Sequence, residues 1–180
     1  LGGLGARVTL ASRDPAKLDD AVVRLRTEGI AAARQVLNIR DAAAIEALFA
    51  TLAATGDLPD ALINNAGGQF SAPALETSAN GFRAILDLNL QGGFQMCRAY
   101  AAALVAQGRR GHIVNIVFAH TGAMPDFAAA AAALAAVVNL TKTLALEWGR
   151  HGILVSFARR QNLFINHLDF LEQRFAFLRV

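Results

Sequence analysis

The residues best placed to do chemistry in this sequence are polar and charged side chains that follow short apolar runs. They occur in four stretches: SRD (12–14), LNIRD (37–41), NNAGG (64–68) and NIVFAHTG (115–122). The preceding runs are rich in apolar and β-branched residues, which is typical of strands. Because ligands bind beyond the carboxyl ends of the strands in open α/β sheets, the four stretches predict one shared ligand site.

The elements that must position these residues alternate along the chain. The sequence predicts strands at 6–12, 32–39, 60–67, 111–118 and 153–158, and helices at 16–28, 42–54, 79–107 (broken near 89–94) and 127–149. Asp14 and Asp41 precede two of these helices as N-caps. The βαβα order predicts an α/β fold, a doubly wound and Rossmann-like parallel sheet with helices on both faces. Since no linker or repeat interrupts the pattern, we expect one domain, residues 1–180.

Composition limits the classes of function. The 180 residues are 54% hydrophobic and carry a net charge of +3, with the basic residues scattered. We expect no nucleic-acid partner, since such surfaces need clustered Lys and Arg. Every apolar run of membrane-spanning length has a polar break, and no pattern predicts metal ligands. Together with the single cysteine, Cys97, this favours a soluble, cytoplasmic protein with no membrane or metal partner.

Four motifs, in order and in spacing, resemble the short-chain dehydrogenase/reductase family. They are LINNAGGQF, LDLNLQGGF, GHIVNI and NLTKTLALEWGRHGI, and the resemblance covers about residues 4–153. Within the family, NNAGGQF and FQMCRAY are most similar to the trans-2-enoyl-CoA and 2,4-dienoyl-CoA reductase branch. The resemblance implies a nicotinamide cofactor, a small acyl-CoA-like or carbonyl substrate, and a homodimer or homotetramer formed through helices at about 92–106 and 127–148.

The resemblance also implies that NNAG lines the adenosine side of the cofactor. Its residues are Asn64, Asn65, Ala66 and Gly67, and the glycine permits close approach of the backbone. The alternative is a polar turn at a strand end without a ligand.

Three further residues would bind the adenosine end. Asn38, with Ile39 beside it, stands where the family usually has Asp near the adenine amine, and an amide still forms that hydrogen bond. Arg13 stands where an acidic residue would accept the ribose 2′-OH of NAD. An arginine there, without an acid, favours NADP(H) over NAD(H). The alternative for Arg13 is an ordinary solvated side chain.

The usual catalytic set of the family is absent from this chain. Its Tyr and Lys positions are occupied by Ala130 and Leu134, and its Ser position by Val117 or Phe118. The one tyrosine, Tyr100, lies on an earlier predicted helix. Enoyl reductase-like members reduce a C=C bond and often alter the Tyr–Lys pair, so this loss alone does not exclude an enzyme.

Three residues are the remaining catalytic candidates. Asn89 matches the family's catalytic Asn, which kinks a helix and holds a water in the proton relay; the alternative is a polar helix-breaking residue. His120 and Asp126 lie in the loop after the fourth predicted strand, which borders the nicotinamide in the family. They are candidate substitute acids, and the alternative is two solvated loop residues.

The ends of the sequence depart from the family. LGGLGA (1–6) contains glycines but follows no strand, so the family's first strand and phosphate loop are expected to be missing. Residues 158–180 diverge. Their apolar residues recur at three- and four-residue spacing and predict an amphipathic helix: Phe164, Leu168, Leu171, Phe175 and Leu178.

Three interpretations remain open from the sequence. The first is a family reductase of which this is an incomplete form, with alanines at 128–133 in place of other side chains. The second is a chain that keeps the fold, has lost catalysis and acts through its surfaces. The third is an active reductase that uses Asn89 with His120 or Asp126. Family resemblance favours an NADP(H)-linked oxidoreductase of the enoyl-CoA reductase type.

Overall fold

The computed structural model describes residues 1–118, 122–160 and 175–179. The strands are β1 (Arg7–Ser12), β2 (Ala32–Val36), β3 (Ala61–Asn64), β4 (Gly111–Phe118), β5 (Ile153–Arg160) and β6 (Phe175–Arg179). The helices are α1 (Pro15–Thr27), α2 (Ala42–Ala54), α3 (Ala79–Leu86), α4 (Gly92–Ala106) and α5 (Ala128–Trp148). A π-helical turn, Asp87–Gln91, joins α3 to α4, and short 3-10 helices occupy Gly2–Leu4 and Gly149–His151.

The six strands form one sheet in the order β2-β1-β6-β3-β4-β5. β1 pairs with β2, β3 with β4 and β4 with β5, all in parallel, which confirms the predicted Rossmann-like α/β fold. The parallel strands point their carboxyl ends to a single edge of the sheet, which we call the carboxyl edge. Asp14 and Asp41 cap α1 and α2 as predicted, accepting hydrogen bonds from the backbone N–H groups of Lys17 and Ala44.

The centre of the sheet departs from the prediction. β6 lies between β1 and β3 and is antiparallel to both. The predicted helix is therefore wrong for Phe175–Arg179, and the rest of that prediction, 161–174, lies outside the described residues. Without a strand in this place, β1 and β3 would leave buried backbone groups unpaired, and this long-range requirement overrides the local helical spacing. Phe177 is buried and packs edge-on against Phe49, with ring centroids 5.8 Å apart.

The residues before β1 form a short turn. Gly2–Leu4 forms a 3-10 turn rather than a strand, and Gly5 ends it with φ of 94°. Only a glycine adopts this left-handed conformation without strain. LGGLGA therefore contains the turn that precedes β1.

The two faces of the sheet differ over β3, β4 and β5. One face, which we call the covered face, packs against α2, α4 and α5. Most of its residues in these strands are buried, while Phe157 is half-buried and Arg159 is exposed; the buried ones include Leu62, Asn64, Ile113, Asn115, Val117, Ile153 and Val155.

The opposite side of the same three strands is the open face. Its described residues alternate with those of the covered face, and none of them is buried: Ala61, Ile63, His112, Val114, Ile116, Phe118, Leu154, Ser156 and Ala158. α1 packs on this side, but over β1 and β2, where Leu10 contacts Leu18 and Ala21. Helices therefore lie on both faces of the sheet, while among the described residues none covers the open face of β3–β5.

One helix has the dimensions of a membrane-spanning segment. Residues 128–151, which comprise α5 and the following 3-10 turn, have a mean hydropathy of 1.6 in their most apolar window, of which 28% is buried. Length and composition are the only grounds for this, and a helix that packs along a sheet, as α5 packs along β5, meets the same criteria.

Candidate functional site

The carboxyl edge collects most of the predicted site residues. Arg13 follows β1 directly, and Asn65 follows β3. Residues in β3 and β4 are in register as far as the pair Asn64–Asn115. Arg13 is exposed and Asn65 is half-buried. Polar groups from strands that are remote in sequence therefore meet at one edge, as the sequence predicted.

Asn64 anchors this edge to the covered face. Its side-chain Nδ2 donates to Asn115 Oδ1 at 2.9 Å and lies 3.0 Å from Cys97 Sγ. Asn115 Nδ2 in turn donates to Thr141 Oγ1 at 2.9 Å, which links β3 and β4 to α5. All four side chains are buried. Asn64 is therefore a structural tie beneath the site, and it does not present its side chain to a ligand.

The thiol of Cys97 does not act as a nucleophile in this environment. Burial raises the pKa of the Cys97 thiol to about 12, although the hydrogen bond from Asn64 opposes this shift. A thiol with such a pKa stays protonated near neutral pH, and the protonated form is unreactive. Cys97 contributes packing and a weak polar contact to the covered face.

Asn89 holds the NNAGG loop in place. Its Oδ1 accepts a hydrogen bond from the backbone N–H of Gly68 at 3.1 Å, and its Nδ2 donates to the Gly68 carbonyl at 2.7 Å. The same Nδ2 donates to the carbonyl of Ile85, in α3, at 2.8 Å, while Asn89 itself lies in the π-helical turn that follows. Both amide hydrogens are thus engaged by the backbone, so Asn89 positions the loop.

Gly67 is required by this arrangement. A Cβ atom built on Gly67 would lie 2.7 Å from Asn89 Oδ1, closer than real contacts allow. The preceding Ala66 packs against the core of the covered face. NNAGG is therefore a loop whose backbone is set by the core on one side and by Asn89 on the other.

Asn38 and Ile39, the second predicted adenine contact, differ in burial: Asn38 lies at the surface and Ile39 in the core. Asn38 is exposed, and its Oδ1 accepts a hydrogen bond from the backbone N–H of Arg40 at 3.1 Å. Ile39 is buried against Gly92, where an added Cβ would lie 2.7 Å from Ile39 Cδ1. The Ile39 side chain therefore belongs to the packing of α4.

The positions of the missing catalytic set are apolar. Ala130 is buried and packs with Ile85, and Val117 is buried in β4. Tyr100 does not replace the absent tyrosine, because its hydroxyl donates to the Pro59 carbonyl at 2.9 Å. It lies beside Gly111, the first residue of β4 and hence the opposite edge of the sheet. Burial raises the pKa of Tyr100 further from the neutral range.

The two predicted substitute acids have different outcomes. His120 lies outside the described residues. Asp126 is exposed and has φ of 64°, a left-handed conformation that is uncommon for residues other than glycine. Its carbonyl accepts a hydrogen bond from the backbone N–H of Ala72 at 2.9 Å, which ties the loop before α5 to the segment after NNAGG. The backbone of Asp126 is thus held against the segment that follows NNAGG.

Sequence reasoning assigned no role to three positioning residues, although Asn115 and Gly68 lie in the stretches singled out above. Asn115 and Thr141 complete the buried network, and Gly68 is the partner of Asn89. A signal for Asn115 was present, since it is the one polar residue at an inward position of the apolar run HIVNIVF. Thr141 carried no such signal, because a polar residue on a helix is ordinarily exposed.

The predicted cofactor residues at the carboxyl edge belong to one half of the predicted dinucleotide site. The NNAGG loop, Arg13 and Asn38 are the described groups there that could hold an adenosine moiety. The family's pyrophosphate site requires a parallel central strand that leads into a helix N-terminus. Here β6 fills the centre in the opposite direction, so that it begins at this edge instead of ending there. The nicotinamide half likewise has no described acid at the Tyr, Lys or Ser position.

Comparisons with known proteins match this fold and these motifs. The family model described as enoyl-(acyl carrier protein) reductase matches residues 1–157. A probable 2,4-dienoyl-CoA reductase of Bacillus subtilis is 37% identical over 153 residues, covering 83% of this chain and 60% of that protein. Gluconate 5-dehydrogenase of Gluconobacter oxydans is 36% identical, covering 87% of this chain and 61% of that protein. The chain thus spans about three fifths of the length of these relatives.

Solved structures show the same similarity. A metagenomic short-chain oxidoreductase in complex with NADP superposes with a TM-score of 0.81 at 31% identity, covering 91% of this chain and 75% of that chain. A gluconate 5-dehydrogenase from Burkholderia cenocepacia, in complex with NADP and tartrate, has a TM-score of 0.76 at 32% identity, with 83% and 58% covered. The family match over most of the sequence, the sheet topology and the NNAGG–Asn89 arrangement agree, and this chain belongs to the short-chain dehydrogenase/reductase family.

Proposed function

We propose that the chain is an NADP(H)-linked oxidoreductase of the enoyl-CoA reductase type, with an enoyl-CoA-like or carbonyl substrate. The observation that supports this most is the NNAGG loop, which Asn89 holds at the carboxyl edge through two hydrogen bonds to Gly68. Such a fixed, glycine-containing backbone is suited to close approach by a flat adenosine group. When bound, NADPH supplies a hydride to an electron-poor carbon of the substrate.

The exposed guanidinium of Arg13 supports the preference for NADP(H). It follows β1 at the carboxyl edge, and Arg pairs with phosphate through short, charge-assisted hydrogen bonds. NAD(H) has a hydroxyl in place of that phosphate and gains no such contact. The solved relatives that contain NADP are consistent with this preference.

The proposal is tested by titrating the purified chain with NADPH and with NADH while nicotinamide fluorescence is followed. Saturable binding that favours NADPH is expected, and Arg13→Gln should reduce that preference about tenfold, since one phosphate contact contributes on the order of 1.4 kcal/mol. Arg24→Gln, an exposed arginine on α1 away from the carboxyl edge, is the matched control. Equal affinities in the native chain would overturn the NADP(H) preference, and no binding at millimolar cofactor would overturn cofactor binding.

Turnover is a separate question, because the side chains at the family's Tyr, Lys and Ser positions are apolar and cannot donate or accept a proton. In the active interpretation, Asn89 orients the loop while His120 or Asp126 supplies the proton. NADPH oxidation with crotonyl-CoA that is reduced in Asp126→Asn or His120→Gln would support that role. The absence of any rate across acyl lengths, with cofactor binding intact, would favour a chain that has lost catalysis.

A groove between α4 and α5 favours a second candidate function. In it, copies of the chain associate with one another in the cytoplasm. The C-terminal halves of α4 and α5 border a groove of about 710 Å³. Its lining combines small residues with both signs of charge: Arg98, Ala101, Ala102, Val105, Glu147 and Arg150. Small residues permit close approach of two helices, and opposite charges suit a twofold pairing of this surface with itself. We propose a homodimer or homotetramer through α4 and α5.

This association is tested by the concentration dependence of mass in solution. Leu146 borders the groove and is 86% exposed, so Leu146→Glu should shift the protein towards monomer. Leu75→Glu, at a fully exposed leucine elsewhere, is the matched control and should leave the mass unchanged. A monomeric native chain at high concentration would contradict the proposed interface.

A further inference from the structure

Two side chains from distant parts of the sequence donate to successive carbonyls of one helix turn. Arg40 Nη2 donates to the Ala84 carbonyl at 3.1 Å. Asn89 Nδ2 donates to the next carbonyl, that of Ile85, at 2.8 Å. Both carbonyls lie in the last turn of α3, immediately before the π-helical turn, and such turns occur frequently at functional sites. The last turn of α3 therefore holds Arg40 and Asn89 in a fixed relation to each other.

Arg40 belongs to the short segment that carries the second predicted adenine contact, residues 37–41, which we call the β2 loop. The loop joins β2 to α2 and is tied to β1, since the backbone N–H of Leu37 donates to the Ser12 carbonyl at 2.9 Å. The backbone N–H of Arg40 donates to the side chain of Asn38. The backbone of Arg40 therefore orients Asn38, while its guanidinium reaches α3.

The β2 loop contacts the helix on both sides of the π-helical turn. Before the turn, Arg40 binds the Ala84 carbonyl. After the turn, Ile39 packs on Gly92, the first residue of α4, where an added Cβ would lie 3.1 Å from the Ile39 carbonyl oxygen. The loop thus spans the turn in which Asn89 lies, and the position of Asn89 depends on contacts at both ends of that turn.

The Arg40 contact can be removed without disturbing the core. Ile39 is buried, and Gly92 has no room for a side chain, so a substitution at either residue would change the packing of α4. Arg40 is exposed, and its contact with α3 is a hydrogen bond from a charged donor, which is stronger than one from a neutral donor. Arg40 is therefore the contact of this loop that a substitution can test cleanly.

We propose that Arg40 is a positioning residue that couples the β2 loop to the NNAGG loop. Its guanidinium fixes the last turn of α3, this turn sets the place of Asn89, and Asn89 sets the backbone of Gly68. A cofactor that contacts Asn38 and NNAGG then meets two segments that are already held relative to each other. The consequence for cofactor affinity rests on the proposed function, whereas the coupling itself does not.

Amide hydrogen exchange of Gly68, followed by NMR in the cofactor-free chain, tests the coupling. The Gly68 N–H donates to Asn89 Oδ1, so its exchange rate reports how firmly Asn89 is held. Arg40→Gln should speed this exchange about threefold or more, and Arg40→Lys, which keeps a charged donor, should restore most of the protection. Arg83→Gln removes the same charge from the same turn of α3 and is the matched control, which should leave the exchange unchanged.

A double substitution tests whether Arg40 acts through Asn89. In an Asn89→Ala background, Arg40→Gln should have no further effect on Gly68, because the connecting hydrogen bond is already lost. Unchanged exchange at Ile113, which is buried in β4, verifies that the sheet is retained in each variant. Equal rates in the native chain and in Arg40→Gln, or equal rates in Arg40→Gln and Arg83→Gln, would overturn the proposal.

Titration of the same variants with NADPH measures the consequence for binding. Arg40→Gln should weaken NADPH binding about threefold, and Arg83→Gln should not. Saturable NADPH binding that is unaffected by Arg40→Gln would overturn the proposal, since a loop held in advance must contribute to affinity. No NADPH binding to the native chain would overturn the proposed function instead, and the exchange of Gly68 would still decide the coupling.

Discussion

The covered and open faces of the sheet are built from the same three strands, and yet they differ in how deeply their side chains are buried. On β5, Ile153 is fully buried while its neighbour Leu154 is 58% exposed. On β4, Asn115 is buried in a hydrogen-bonded network, whereas the apolar neighbours Val114 and Ile116 are only half-buried. Burial is therefore decided by which helices lie over a face and not by the polarity of the strand residues.

The largest expected difference between the faces is in stability. Ile153→Ala removes a fully buried side chain from the covered face and should lower the free energy of unfolding by about 2–5 kcal/mol. Leu154→Ala removes a side chain of similar volume from the open face and should lower it by less than about 1 kcal/mol. Urea unfolding of both variants measures the comparison. Equal losses would mean that Leu154 is as well covered in solution as Ile153.

The buried network should respond next. Asn115→Ala removes the acceptor of Asn64 and the donor to Thr141 and leaves polar groups unsatisfied in the core. We expect a loss of about 2–3 kcal/mol in the free energy of unfolding. Ser156→Ala, on the open face, should change it by less than about 0.5 kcal/mol. A neutral Asn115→Ala would show that the network does not hold α5 to the sheet.

The smallest expected effect is on the alkaline limit of stability. Burial on the covered face raises the pKa of the Cys97 thiol from 9.0 to about 12. Above pH 9 the thiol ionises in the unfolded chain and stays protonated in the folded one, so the unfolded state binds fewer protons. This contribution to stability is complete below pH 9 and is lost as the pH rises towards 12, by up to about 1.4 kcal/mol per pH unit. By pH 10 the loss amounts to about 1.4 kcal/mol in all.

Urea midpoints measured from about pH 8 to about pH 10 test this sign. Cys97→Ala should flatten the decline, and Ser156→Ala should not. An unchanged slope in Cys97→Ala would mean that the thiol is accessible enough to ionise in the folded protein. Tyr100, whose pKa burial also raises, acts in the same direction at higher pH.

The structure places some predicted site residues at the carboxyl edge and others in the core, for physical reasons. Arg13, Asn65 and Gly67 reached the carboxyl edge because parallel strands bring their ends together, which local patterns already imply. Asn64 and Ile39 turned inward, because strand alternation and contact with Gly92 direct their side chains into the core. The predicted water-holding role of Asn89 stays a prediction, while its bonds to Gly68 give it a positioning role that no sequence pattern indicated.

The amino-acid sequence by itself determined the α/β order, the strand ends that carry polar residues, the family, and the absence of the usual catalytic side chains at Ala130 and Leu134. Only the tertiary structure decided which strand fills the centre of the sheet and which face is covered. Local periodicity specifies how side chains alternate along an element, but it does not specify which distant segment satisfies the backbone groups beside it. Phe175–Arg179 became a strand for that reason, since β1 and β3 both required a partner.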